Sequence, residues 1–323
     1  MSCLPWQHEQ WERLCTDHGK GRLPHAIMLE GPRSTGKQDF ARVFANYMLC
    51  SSPRKHEPCG SCHGCQLLKA GNHPDLVDME PEEGSKAIRV DEIRAFVAST
   101  ALTPQIANCR IALITPAEAM NQAAANSLLK TLEEPNPGNH ILLVSHAPWE
   151  LPATIRSRCQ HLMFPLPGKQ EAIDWLMAQQ PDDEWPGLLD CVRGAPLKAL
   201  EFKKQHGLDS YREEKRRFAA LLSGKANLVE VGAAWSKDET GMIANWIFHW
   251  TLDLARATES GIMQMHDREL AGWLKDLIPR MDSVKLFYVL DKLSSLQQGI
   301  RSRNLNVQMQ FETLALELME AGA

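Results

Sequence analysis

AIMLEGPRSTGKQDFARVF, residues 26–44, carries the reading of the fold. Its first five residues form a short, mostly apolar run of the length of a buried strand. After the loop, Phe40, Val43 and Phe44 fall at helical spacing, and Tyr47 and Met48 extend the same face. Between the two lies Gly31-x4-Gly36-Lys37, a phosphate-binding loop in every position but the last, where Gln38 replaces Ser or Thr. Strand, glycine loop, helix is the order such a loop requires, because backbone N–H groups at the helix start and the lysine together hold an anion.

The pattern repeats downstream. CRIALIT (109–115) and HILLVS (140–145) read as further buried strands. Helices are expected over 91–100 and over 117–134, the latter packed through Leu128, Leu129 and Leu132 and stopped by Pro135. Strands alternating with helices imply an α/β domain with a parallel sheet. The composition shifts at FPLPG (164–168), and strand signals then cease. The expected division is an α/β nucleotide-binding-like domain over 1–166 with a cysteine-rich insertion near 50–75, a small helical domain over 167–206, and an all-α domain over 207–323. In the last, Ile243, Trp246, Ile247, Trp250 and Leu254 share one helix face, as do Val307, Phe311, Leu314 and Leu318, and both read as core.

Across 323 residues the formal net charge is −5, which argues against a chain that grips nucleic acid by itself. Lys203, Lys204 and the run from Arg212 to Arg217 are basic, but Glu213 and Glu214 interrupt them, so a solvated helix face is expected. MSCLPWQHEQWERL has no basic segment leading into an apolar core, and no apolar run is long enough to span a bilayer. A cytoplasmic protein is expected.

In that compartment clustered cysteines mean metal or redox chemistry. Five of the nine are scattered, and Cys159 among them reads as a packing residue. Cys50-x8-Cys59-x2-Cys62-x2-Cys65 is the spacing of a tetrahedral zinc site, with Gly60 and Gly64 in the turn positions. An iron–sulfur pattern also begins C-x2-C-x2-C, but its fourth cysteine is missing here. His56 and His63 lie near enough to replace a cysteine. Four protein ligands close the shell, so the zinc is expected to be structural.

Hydrolysis needs more than a loop. A hydroxyl after the lysine holds magnesium, and an acid at a strand end completes the metal site. Gln38 has no hydroxyl, and its amide is expected to crowd the metal. The strand IALI runs into Thr115 and Pro116, with the nearest carboxylate, Glu118, on the following turn. Gly31, Gly36 and Lys37 can still hold the phosphates of ATP or ADP without hydrolysing them.

HAIMLEGPRSTGK (25–37), AAANSLLKTLEEPNPGNHILLVS (123–145) and LPATIRSRC (151–159) closely resemble the clamp-loader branch of the AAA+ ATPases, over most of residues 4–165. The four-cysteine insertion is similar to the zinc module of bacterial clamp-loader subunits. The resemblance implies a AAA+ P-loop domain, a helical lid and a helical collar. Where the family's ATPases carry an acidic pair, this chain has Thr115-Pro116; where they carry a sensor arginine, in GAPLKAL (194–200), it has Leu197. Ser157-Arg158-Cys159 is intact, and in this family that arginine is a finger acting in trans on a neighbour's ATP. The resemblance therefore implies a non-hydrolysing member of a hetero-pentameric ring within the DNA polymerase III holoenzyme, a nucleotidyltransferase complex of DNA replication. Its implied partners are gamma/tau ATPase subunits, delta, the sliding clamp and primed DNA, with no membrane. The competing readings are an active clamp-loader ATPase using Lys37, and a stand-alone zinc-dependent nucleic-acid binder.

Overall fold

Five consecutive buried residues in one strand need cover on both faces, and Ala26–Glu30 (β1) is buried at every position. In the computed structural model it lies inside a five-stranded parallel sheet with Leu76–Met79 (β2), Arg110–Ile114 (β3), Asn139–Ser145 (β4) and Gln160–Met163 (β5), in the order β2-β3-β4-β1-β5. The structure describes residues 3–322 except 83, 84, 86, 206, 239, 240, 263, 264, 266 and 303–305.

Alternation along the strands sorts the core into two layers. Ile27, Leu29, Ile111, Leu113, Leu142 and Val144 face one side, with Trp11, Leu14, Phe40 and Phe44 from helices His8–Gly19 (α1) and Lys37–Met48 (α2). Trp11 meets Phe40 and Phe44 edge-on, with centroids 5.5 and 5.9 Å apart. After the short helix His63–Lys69 (α3) in the cysteine-rich insertion, helices Val90–Ser99 (α4) and Gln122–Glu133 (α5) cover the opposite face. There Ile93, Phe96, Ala124 and Leu128 pack on Met28, Ala112, Ile114 and Leu143. The single-turn helix Ala153–Arg156 (α6) leads into β5.

Two features depart from the sequence reading. The expected helix over 117–134 is a 3-10 turn at Ala117–Ala119 followed by α5, because Asn121 caps Ala124 N at 2.9 Å and starts the helix there. β2 and β5 were not expected at all; each is four residues long with a single fully buried position.

The remaining helices are Lys169–Gln179 (α7), Trp185–Cys191 (α8), Pro196–Gln205 (α9), Gly207–Leu222 (α10), Leu228–Trp235 (α11), Met242–Ser260 (α12), Arg268–Trp273 (α13), Ser283–Ser302 (α14) and Val307–Ala321 (α15). Contacts divide the chain into two compact units: Met1–Trp185 with Val192–Leu200, and Pro186–Cys191 with Glu201–Ala323. In the second, Trp246, Ile247, Trp250 and Leu254 of α12 are buried, as are Phe311, Leu314 and Leu318 of α15. The basic run on α10 is only partly a solvated face: Lys215 is buried, donating to Asp267 at 3.0 Å and Glu269 at 2.5 Å, while Arg217 pairs with Glu213 and Glu214 outside. No described helix is long and apolar enough to cross a membrane.

Candidate functional site

The glycine loop has the backbone that its sequence promises. A Cβ at Gly31 would lie 2.1 Å from Phe164 O, so β5 can close on the loop only over a glycine. Gly36, with φ +83°, turns the chain into α2. Lys37, however, points back into its own loop. Its Nζ donates to Gly31 O at 2.8 Å and Pro32 O at 2.5 Å, and the residue is 1% exposed. Burial pulls the pKa of Lys37 down to about 8, partly offset by the nearby charge of Glu118.

The loop is also held from outside. Trp6 Nε1 and Gln7 Nε2 donate to Thr35 O at 3.0 and 2.9 Å. A Cβ at Gly36 would meet Leu4 at 2.5 Å, Gln7 Nε2 at 2.9 Å and Leu197 at 3.5 Å. Leu197 therefore reaches the loop as hydrocarbon and brings no charge to it. Leu4, Phe40, Val43 and Leu197 line a cavity of about 150 Å³. Gln38 does not crowd a metal position as expected. Its amide donates to Glu80 Oε1 at 2.6 Å, and Arg42 pairs with Asp78 at 3.2 Å and with Glu80. The side chain after the lysine is thus tied to the exit of β2.

At the ends of β3 and β4 the carboxylate is nearer to the loop than its place in the sequence suggests. Glu118, on the 3-10 turn, accepts from His146 N at 3.0 Å through Oε1. Burial first, then the charges of Lys37 and Arg33, push the pKa of His146 down to about 4. Thr115 Oγ1, Ser145 Oγ, Glu118 Oε2 and His146 Nδ1 are buried without a hydrogen-bond partner among the described residues. The recess is polar, and one of the two oxygens of Glu118 is committed to a backbone N–H.

Arg158 lies at the other end of the sheet, just ahead of β5. Its guanidinium is 2.7 Å from Glu133 Oε1 and donates to Thr154 O at 2.9 Å, with the side chain about one-third exposed. Cys159 beside it is buried, and burial pushes its thiol up to about 12, as suits a packing residue.

The four clustered cysteines converge, with their sulfur atoms all within 4.8 Å of one another. Tetrahedral zinc with Zn–S near 2.3 Å separates its sulfurs by about 3.8 Å. Cys50 and Cys62 are 3.9 Å apart, and Cys59 and Cys65 are 4.0 Å apart. Backbone N–H groups of Cys59, Cys62 and Cys65 point at Cys50, Cys59 and Cys62 sulfurs at 3.2, 3.3 and 3.4 Å. Hydrogen bonds from the Ser51 side chain and Cys65 N–H pull the Cys62 thiol down to about 5. Thiolates this close repel one another unless a cation lies among them. The donor set fits zinc, and His56 and His63 are not part of it.

Sequence reading missed the grip of Trp6 and Gln7 on Thr35, and the contact of Glu118 with His146. It also missed a buried ion pair, Asp75 with Arg110, 3.7 Å apart and 0% and 3% exposed. The partners in each are 28 or more residues apart, so no local spacing signals them.

A family model described as "DNA polymerase III, delta subunit" matches residues 6–167. The chain is 34% identical over 321 residues to DNA polymerase III subunit delta' of Pseudomonas aeruginosa, covering 97% of this chain and 96% of that one. With the Escherichia coli K12 protein of the same name the identity is 28% over 305 residues, covering 94% and 90%. Among solved structures, a DNA polymerase III gamma subunit-related protein from Thermotoga maritima overlays 97% of this chain and 100% of that one at 20% identity with a TM-score of 0.47.

Proposed function

Because the chain belongs to the DNA polymerase III delta' family, we propose that it is a subunit of the clamp loader that completes a neighbour's ATP site and hydrolyses none itself. It works beside gamma/tau ATPase subunits and delta in a hetero-pentameric ring, and supports placement of the sliding clamp on primed DNA. Its division into a AAA+ domain (1–166), a lid (167–206) and a collar (207–323) follows from that reading.

The observation that carries the absence of hydrolysis is the state of the glycine loop. Gln38 is tied to Glu80, and Lys37 is spent on the loop's own carbonyls. Leu197 brings hydrocarbon where the family's ATPases bring an arginine. A nucleotide at Gly31, Gly36 and Lys37 would displace the lysine from Gly31 O and Pro32 O and would then sit without a magnesium hydroxyl. ATP or ADP there would be a strut.

Arg158 is the residue offered outward. An arginine placed on a transferring phosphoryl group neutralises charge that develops in the transition state, and is worth about a thousandfold or more in rate. Cys50, Cys59, Cys62 and Cys65 hold a structural zinc; a closed thiolate shell leaves no position for water and so no catalysis at the ion.

The test is clamp- and DNA-stimulated ATP hydrolysis by the reconstituted loader. Arg158→Ala is expected to lower it at least a hundredfold with the complex still assembled. An unchanged rate leaves the subunit as scaffold alone. ATP hydrolysis by the isolated chain that Lys37→Ala abolishes would establish the active-ATPase reading instead.

A further inference from the structure

His56 has no place among the four converging sulfurs, yet the backbone is strained to present it. Arg54 N donates to Glu57 O at 2.9 Å and Glu57 N donates to Arg54 O at 2.8 Å. The two bonds close a turn whose central residues, Lys55 and His56, have φ of +46° and +64°. Such a turn favours Asn-Gly, because a Cβ is crowded at positive φ. Long side chains held there are local strain of the kind that collects at functional positions.

The turn borders a cavity of about 480 Å³, whose wall also includes Cys3, His8 and Glu12 from the start of α1 and the residues before it. Cys3 Sγ lies 3.6 Å from His8 Nδ1. A tetrahedral zinc with its sulfur near 2.3 Å and its nitrogen near 2.0–2.1 Å holds those two atoms about 3.5–3.6 Å apart. Cys3 and His8 therefore already have the separation of two ligands of one ion. His8 and Glu12 are four residues apart on α1 and share a helix face. That is the spacing at which two helical side chains reach one metal. His56, whose ring meets Tyr47 edge-on at 6.3 Å, brings a second imidazole to the same cavity.

We infer that Cys3, His8, Glu12 and His56 form a second metal site, separate from the four cysteines, for a late first-row divalent ion such as zinc. One thiolate, two imidazoles and a carboxylate suit such an ion, whereas magnesium and calcium take oxygen ligands. Glu12 and Glu57 outweigh Lys55 in the wall, so the cavity favours a cation over an anion such as phosphate. His8, Glu12 and His56 are exposed, and a single thiolate replaces four. The site is therefore weaker than the cysteine module and fills when zinc is supplied in excess of one ion per chain. An ion bound there ties α1 to the turn at 54–57. It also braces the stretch from which Trp6 and Gln7 hold Thr35 O.

The experiment uses the full chain carrying one zinc, freed of excess metal and titrated with Zn²⁺ by calorimetry. One further ion is expected to bind. His8→Ala with Glu12→Gln changes two exposed side chains and is expected to leave folding and the first zinc intact while weakening the second ion about tenfold or more. His56→Ala is expected to weaken it likewise. Co²⁺ given to the zinc-loaded chain is expected to add a thiolate-to-cobalt absorption band that Cys3→Ser abolishes. A second ion bound with unchanged affinity in these variants is an adventitious ion only and overturns the inference. So does a wild type that takes up no second ion at millimolar Zn²⁺, or a cobalt band that survives Cys3→Ser. An ion lost from Cys62→Ser but kept by Cys3→Ser belongs to the cysteine module. None of these readouts needs a loader partner, so failure here leaves the function proposed above untouched.

Discussion

Glu133 Oε1 and the Arg158 guanidinium are 2.7 Å apart, which holds the proposed trans-acting arginine against the last turn of its own chain's α5. The arginine is about one-third exposed and the glutamate about half, and a pair open to solvent to this extent contributes about 0–1 kcal/mol. The partnership is weak enough to be exchanged for a phosphate when a neighbour presents one. Glu133→Gln is therefore expected to change unfolding free energy by less than about 1 kcal/mol and to leave loader ATP hydrolysis at or above the wild-type rate. Arg158→Lys keeps the charge but loses the planar fork, and is expected to lose most of the stimulated rate. Denaturant unfolding and the loader assay read the two outcomes separately.

Lys37 makes the opposite prediction. Its ammonium is buried against two loop carbonyls, so removing it takes the side-chain donor from Gly31 O and leaves Pro32 O with Thr35 Oγ1, at 3.1 Å. Lys37→Ala is expected to cost about 2–4 kcal/mol of stability and to leave stimulated hydrolysis by the assembled loader unchanged. A variant of wild-type stability whose loader loses activity would show that the loop takes part in the chemistry.

The contrast between these two residues reflects what a sequence can display. β1, the glycine loop and α2 are contiguous, so apolar spacing and two glycines were enough to place them. The four cysteines converge because three of them lie within seven residues, with a turn at Gly60; Gly64, expected in a second turn, lies inside α3 instead. What spacing could not reveal was where a motif side chain would point. Lys37 has the same sequence neighbours whether it faces a phosphate or folds back on Pro32. Gln38 finds its partner, Glu80, 42 residues on, at the exit of a strand too short and too exposed to signal itself. The buried pair of Asp75 and Arg110 was hidden for the same reason, since only the pairing of β2 with β3 brings the two together.

Metal removal tests the cysteine module. Cys62 receives hydrogen bonds that already favour its thiolate, and its sulfur lies 3.9 Å from that of Cys50. The purified chain is expected to carry one zinc, and Cys62→Ser to lose it. The loss should lower stability on the order of a few kcal/mol, less than for a free zinc finger because α1, α2 and the sheet hold the surrounding domain. Metal analysis and thermal unfolding, with a strong chelator on the wild type as the parallel case, measure both. A zinc-free wild type with an unchanged melting temperature would leave four buried thiols and no metal site.

The last expectation concerns acid. His146 ordinarily titrates near 6.5, and in the folded chain burial together with the charges of Lys37 and Arg33 lowers this to about 4. Between those values the unfolded chain takes up a proton that the folded chain refuses. Stability from this group is therefore complete above pH 6.5, falls as the pH drops toward 4, and changes no further below that. His146→Gln removes the titration, and is expected to flatten the fall of unfolding free energy between pH 6.5 and 4 relative to the wild type. His18, His73 and His140 are also lowered by burial and keep part of the slope in the variant. If the two proteins lose stability in parallel across that window, His146 is protonated in the folded state. The ammonium of Lys37 then does not lie close enough to govern it, and the recess between β3 and β4 is open to water.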